Sequence, residues 1–120
     1  MKISMAEGKR LKAVFYRTPS GAEPVRDWLR TLSQGDRRQI GEDIKTCEFG
    51  WPIGMPICRA LGKGLWEVRT TLKDRIARVL FVPDRDRMVL LHGFIKKSQA
   101  TPQADLELAR SRQRYWENER

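Results

Sequence analysis

The segment RIARVLFV, residues 75–82, is a run of strand-forming apolar residues broken at its centre by Arg78. A lone charge buried in such a strand costs several kcal/mol, so Arg78 needs a partner. The preceding run GLWEVRTTL offers Glu67 and Arg69 at the same parity. Two arrangements follow. Arg78 pairs with Glu67 across neighbouring strands, or Arg69 and Arg78 project together as an anion clamp. Arginine suits the second task because its planar fork holds two oxygens at once and keeps its proton. The stretch VLLHGFIKK then adds His92, the chain's single histidine, with Lys96 and Lys97. Strand alternation puts Lys96 with His92 on one face and Lys97 on the other. His92 is either a hydrogen-bonded strand end or a general acid or base, since imidazole titrates near neutral pH.

These residues need a frame. LKAVFYR, residues 11–17, reads as a first strand stopped by Thr18-Pro19-Ser20-Gly21. GAEPVRDWLRTLS places Val25, Trp28, Leu29 and Leu32 on one helical face, and Pro24 sits in the first turn, where proline is tolerated. GDRRQIGEDIKTCEFG predicts a second helix with Asp36 as its N-cap and Ile40 and Ile44 inward. WPIGMPICRALGKG reads as a Pro- and Gly-rich loop, long for a mere connection. Three strand-like runs follow, with short polar turns at Lys73-Asp74 and at Pro83–Asp86, which predicts an antiparallel meander. Parity groups Glu67 with Arg69, and Arg78 with Ile76, Leu80 and Val82; it also groups His92, Phe94 and Lys96 with Met88 and Leu90. The last segment predicts a helix with Thr101 as N-cap, Pro102 at its first position, a solvated face of Arg110, Arg112 and Arg114, and Tyr115 and Trp116 as packing residues. The order β-α-α-β-β-β-α implies an α+β fold, a small antiparallel sheet with helices packed on one face.

A chain of 120 residues, 40% hydrophobic and 32% charged, fits one globular domain over residues 11–120, with residues 1–10 as a flexible tail. The apolar runs are too short to span a bilayer, and the charged start lacks a signal-peptide core, so the expectation is a cytoplasmic protein without membrane association. Net charge is +9, with +3 in residues 1–58 and +6 in residues 59–120. That excess suits a polyanion such as nucleic acid, or an acidic protein. Cys47 and Cys58 lack zinc spacing and read as free thiols, so no metal site is expected.

The pieces LGKGLWEVRTT, RIARVLFV and MVLLHGFIKKSQATPQADLELARSR together resemble the phage-derived RelE/HigB-like toxin family of type II toxin–antitoxin systems. LLHGFIKKSQATP is the most specific of them. The resemblance implies a RelE/ParE-type fold and a cognate antitoxin, often with a helix-turn-helix domain. It also implies inhibition of translation by metal-independent cleavage of mRNA on the ribosome, with no small-molecule cofactor. Matched by motif, Arg69, Arg78 and Lys96, with Lys97 beside it, would act at the scissile phosphate; Lys97, Lys73 and Arg75 are the expected RNA contacts. The sequence departs from the family in two places: KKSQATP offers no tyrosine, and Ala77 stands where an aromatic residue often precedes the strand arginine. Proton transfer then falls to His92, or to Lys96. A ParE-like gyrase poison and a catalytically inactive RNA- or protein-binding module are the competing expectations.

Overall fold

The computed structural model describes residues 8–97 and 100–119. Its elements run β1 (Lys12–Phe15), α1 (Pro24–Arg30), α2 (Gln34–Gly50), β2 (Cys58–Gly62), β3 (Leu65–Leu72), β4 (Arg75–Asp84), β5 (Arg87–Lys96) and α3 (Gln103–Glu119). The fold is α+β, with three helices and one five-stranded sheet in the order β1-β5-β4-β3-β2. Most of the expected tail, residues 1–7, lies outside the described residues, as do Ser98 and Gln99 of the KKSQATP turn. Lys9 and Arg10 are tied to the domain: the Lys9 ammonium lies 3.3 Å from the Glu48 carboxylate, and the Arg10 amide donates to the Glu48 carbonyl.

Four expectations about the elements and their arrangement need correction, and two about side-chain faces follow below. The sheet is mixed, because β1 runs parallel to β5, with Lys12 opposite Arg87 and Phe15 opposite Leu90. The chain crosses from β1 through the α1–α2 hairpin and three strands before reaching β5, long enough to return in the same direction. A strand was also missing: residues 58–62 of the expected loop form β2, antiparallel to β3. Third, the helices lie on both faces. Val25, Ile40, Ile44 and Cys47 of α1 and α2 pack on Val68, Val79, Phe81 and Met88, whereas Ala109 of α3 packs on Leu65, Leu80, Val82 and Leu91. Finally, the α2 cap is Ser33, whose Oγ accepts the Asp36 amide at 3.2 Å.

The fastening of α3 explains why a helix with so little apolar surface stays on the sheet. Arg110 Nη1 donates to the Gly62 carbonyl at 2.7 Å, and its Nη2 donates to the Leu61 carbonyl at 2.8 Å. Arg112 Nη1 donates to the Leu91 carbonyl at 2.8 Å, and burial pushes its guanidinium basicity down. Trp116 Nε1 donates to Asp84 Oδ2 at 2.9 Å, and Tyr115 meets Tyr16 edge-on. Of the arginine run, only Arg114 is exposed. Among the described residues, no helix is long and apolar enough to cross a membrane.

One irregularity decides which side chains meet. Phe81 pairs with Leu90 but Leu80 pairs with His92, so Leu91 is an extra residue on β5. The bulge inverts the alternation. Met88 and Leu90 join the α1–α2 core, whereas His92 and Phe94 turn to the α3 side, so the parity that grouped all four together does not hold. Beyond the bulge, Gly93 faces Trp28 of α1, and a methyl group there would overlap the indole ring.

Candidate functional site

The α3 side of the sheet gathers the charged strand residues. Register sets Arg59 opposite Glu67, Arg69 opposite Arg78, and Arg78 opposite Phe94. Two like charges at directly opposed positions repel each other. Glu67 offsets that repulsion from the centre of the group. Its Oε1 accepts Arg69 Nη1 at 3.2 Å and lies 3.9 Å from both Arg78 Nε and Arg59 Nη1. Its Oε2 accepts the Thr101 hydroxyl at 2.9 Å. Thr101, expected as a helix cap, thus closes the cluster from above.

Exposure is graded across the three arginines. Arg78 and Glu67 are fully buried, Arg69 keeps 11% of its side chain accessible, and Arg59 keeps 42%. Arg78 Nη1 donates to the Ala100 carbonyl at 3.3 Å, and the guanidinium sits 5.9 Å from the Phe94 ring. Burial lowers the basicity of Arg78, Glu67 restores part of it, and Arg69 and Arg59 oppose that restoration. The arrangement therefore has a buried interior, Arg78 with Glu67, and a more accessible rim, Arg69 with Arg59. An approaching phosphate would meet the two rim forks first.

His92 sits beside this group on the same face. Its Nε2 lies 2.7 Å from Asp105 Oδ1 in the first turn of α3, and its ring stacks on Phe94 at 5.5 Å. Its Nδ1 lies 3.5 Å from Arg112 Nη1. Lys96 is exposed and opposite Ile76, which places it on the Arg78 face about 7 Å further along the sheet.

The other sequence candidates are not brought to this cluster. Lys97 is exposed at the end of β5, and Lys73 is exposed in the β3–β4 turn. Arg75 is on the opposite face, where its Nη2 reaches Asp36 Oδ2 at 2.7 Å. Arg59 and Asp105 are the residues that sequence reasoning missed. CRALG does alternate, with Arg59 and Leu61 against Cys58 and Ala60, but flanking Pro and Gly masked so short a strand. Nothing in the sequence marked Asp105 beyond its place in a helix start. Among the described residues, no group of three or more His, Cys, Asp or Glu side chains could hold a metal ion.

The family model described as Phage derived protein Gp49-like (DUF891) matches residues 27–114. The matched span includes every side chain of the cluster, from Arg59 to Arg112. No curated protein matches the chain.

Proposed function

The chain belongs to the Gp49-like family of phage-derived proteins, and on that premise we propose that it is the toxin of a type II toxin–antitoxin pair, an endoribonuclease that cleaves mRNA on the ribosome. The observation that carries the reading is the grouping of Arg59, Arg69 and Arg78 around Glu67, with Lys96 exposed on the same face. Such a site suits an attack by a ribose 2′-OH on the adjacent phosphorus. The 2′-hydroxyl gives its proton to water as the 2′-oxygen–phosphorus bond forms, the bond to the 5′-oxygen breaks with that oxygen taking a proton from the Lys96 ammonium or from water, and negative charge builds on the non-bridging oxygens in between. Fixed guanidinium forks stabilise that charge without reorganising. Arg69 and Arg59 contact the phosphate, Glu67 and Arg78 hold the forks in place, and Lys96 reaches a neighbouring phosphate or the leaving oxygen. Lys97 and Lys73 extend the cationic track. The cognate partner is an antitoxin with a helix-turn-helix domain.

Purified protein added to ribosomes programmed with a defined mRNA tests the proposal. Codon-positioned cuts are expected from the wild type and should be lost in Arg59→Ala and Arg69→Ala with the fold retained. Intact mRNA with DNA damage on expression in cells would instead indicate a gyrase poison. One observation favours a non-catalytic binding module: Arg78 and Glu67 have no exposed surface, and Ala100 and Thr101 cover them. Retarded but uncut RNA would support that module and overturn the nuclease reading.

A further inference from the structure

His92 looks at first like the proton-transfer group of this face, and its hydrogen bonds argue against that. A carboxylate only accepts, so the 2.7 Å contact with Asp105 Oδ1 assigns the ring proton to Nε2. A guanidinium only donates, so the nitrogen beside Arg112 Nη1, Nδ1, carries the lone pair. Nδ1 therefore faces the Arg112 N–H groups as an acceptor. Arg112 cannot easily turn away, because the same Nη1 donates to the Leu91 carbonyl at 2.8 Å. The charged and titratable groups around the ring are Asp105 and Arg112 on α3 and, behind Arg112, Tyr16 after β1, whose ring lies 5.8 Å from the Arg112 guanidinium. Phe94 covers one ring face.

The same contacts give the imidazole a different task. Asp105 belongs to the first turn of α3, where the helix dipole favours a carboxylate. Just before that turn, Thr101 reaches Glu67 and the Ala100 carbonyl accepts from Arg78. We infer that His92 is a positioning residue: with Asp105 it pins the first turn of α3 to the bulge of β5, and so holds Ala100 and Thr101 on the Glu67–Arg78 pair that sets the arginine forks. The bulge at Leu91 is what turns His92 toward Asp105. The functional consequence rests on the proposed cleavage reaction; the anchoring does not.

Glutamine separates the two roles. Its side-chain amide reaches where Nε2 lies and donates to Asp105, but it does not carry protons. Cleavage on programmed ribosomes would be measured for wild type, His92→Gln, His92→Ala and Asp105→Ala between about pH 5 and 8. His92→Gln should keep most of the wild-type rate and the wild-type pH profile. His92→Ala and Asp105→Ala should each lose about tenfold or more, as a misplaced cationic site does, and the double variant should be no worse than either single. If His92→Gln is as inactive as His92→Ala and both lose one limb of the pH profile, His92 transfers protons and the inference is overturned. Hydrogen exchange supplies a readout free of activity. The Leu106 amide, bonded to the Pro102 carbonyl at 3.0 Å, should exchange faster in His92→Ala and Asp105→Ala, with β4 unchanged. Unaltered exchange at Leu106 overturns the anchoring. A wild type that cuts nothing overturns the cleavage reading alone, and exchange still decides the role of His92.

Discussion

Replacing Glu67 by glutamine should be among the most damaging single changes available in this protein. The amide keeps the shape but only one acceptor oxygen: turned to Arg69, it leaves its NH2 group against the Thr101 hydroxyl, and the negative charge is gone. What remains is Arg78, fully buried, facing Arg69 at a directly opposed position, with Arg59 nearby. Breaking a buried ion pair by removing one partner costs about 3–5 kcal/mol, because the other charge stays desolvated. Folded domains of this size are stable by only about 5–15 kcal/mol. At roughly 3–6 °C per kcal/mol for about 120 residues, the melting temperature should fall by on the order of 10–30 °C. Urea denaturation followed by circular dichroism measures the loss. The double variant Glu67→Met/Arg78→Met removes both buried charges and should be much less destabilised than the two single variants summed, as expected when an apolar pair replaces an ion pair. The loss in Glu67→Gln should also be nearly the same in low and high salt, because a buried pair is little screened. A Glu67→Gln protein within about 1 kcal/mol of wild type would refute the claim that this carboxylate organises the cluster. An additive double variant would refute it equally.

Three further outcomes follow from particular contacts. Gly93→Ala sets a methyl group into the Trp28 ring and should cost about 1–3 kcal/mol, seen as a lower urea midpoint, with part of the loss recovered when Trp28 is also made smaller; an unchanged midpoint would mean that α1 moves aside freely. Arg110→Ala removes charge-assisted donors to the Leu61 and Gly62 carbonyls and should cost about 1.5–3 kcal/mol, with faster amide exchange in α3 as the specific sign. Lys96→Ala, exposed at the end of β5, should leave stability within about 0.5 kcal/mol of wild type. It should reduce the salt dependence of RNA binding by about one unit of slope, and an unchanged slope in a fluorescence titration would remove Lys96 from the interface.

The sequence was most legible where one strand could be judged by itself. Alternation along β3 put Glu67 and Arg69 on one face, as observed, and the β3–β4 register brings that face to Arg78. It left open whether Arg78 pairs with Glu67 or joins a clamp, since pairing and exposure depend on what lies above the sheet. The answer comes from Ala100 and Thr101, residues about 20 to 35 positions away in the chain that arrive over the cluster only because α3 crosses that face. Placement of α3 was illegible for a related reason. Arg110 and Arg112 look like a solvated stripe by periodicity, yet each spends its guanidinium on carbonyls of the sheet, so the attachment is polar and leaves no apolar stripe to read.

β5 shows the limit of period-two reasoning most directly. A single inserted residue reverses every face assignment beyond it. Val89, Leu90, Leu91 and His92 give no warning, because an apolar run buried on both faces hides its own register. Without the bulge, His92 and Phe94 would point into the α1–α2 core, where Trp28 already fills the space against Gly93. The glycine and the bulge are therefore coupled. The small residue falls on the crowded face only because Leu91 shifted the phase, and the same shift delivers imidazole and phenyl rings to the side where Asp105 and Arg78 wait. A substitution that straightened β5 would exchange those faces together, and the arginine cluster would lose its aromatic wall and the anchor of α3 at once.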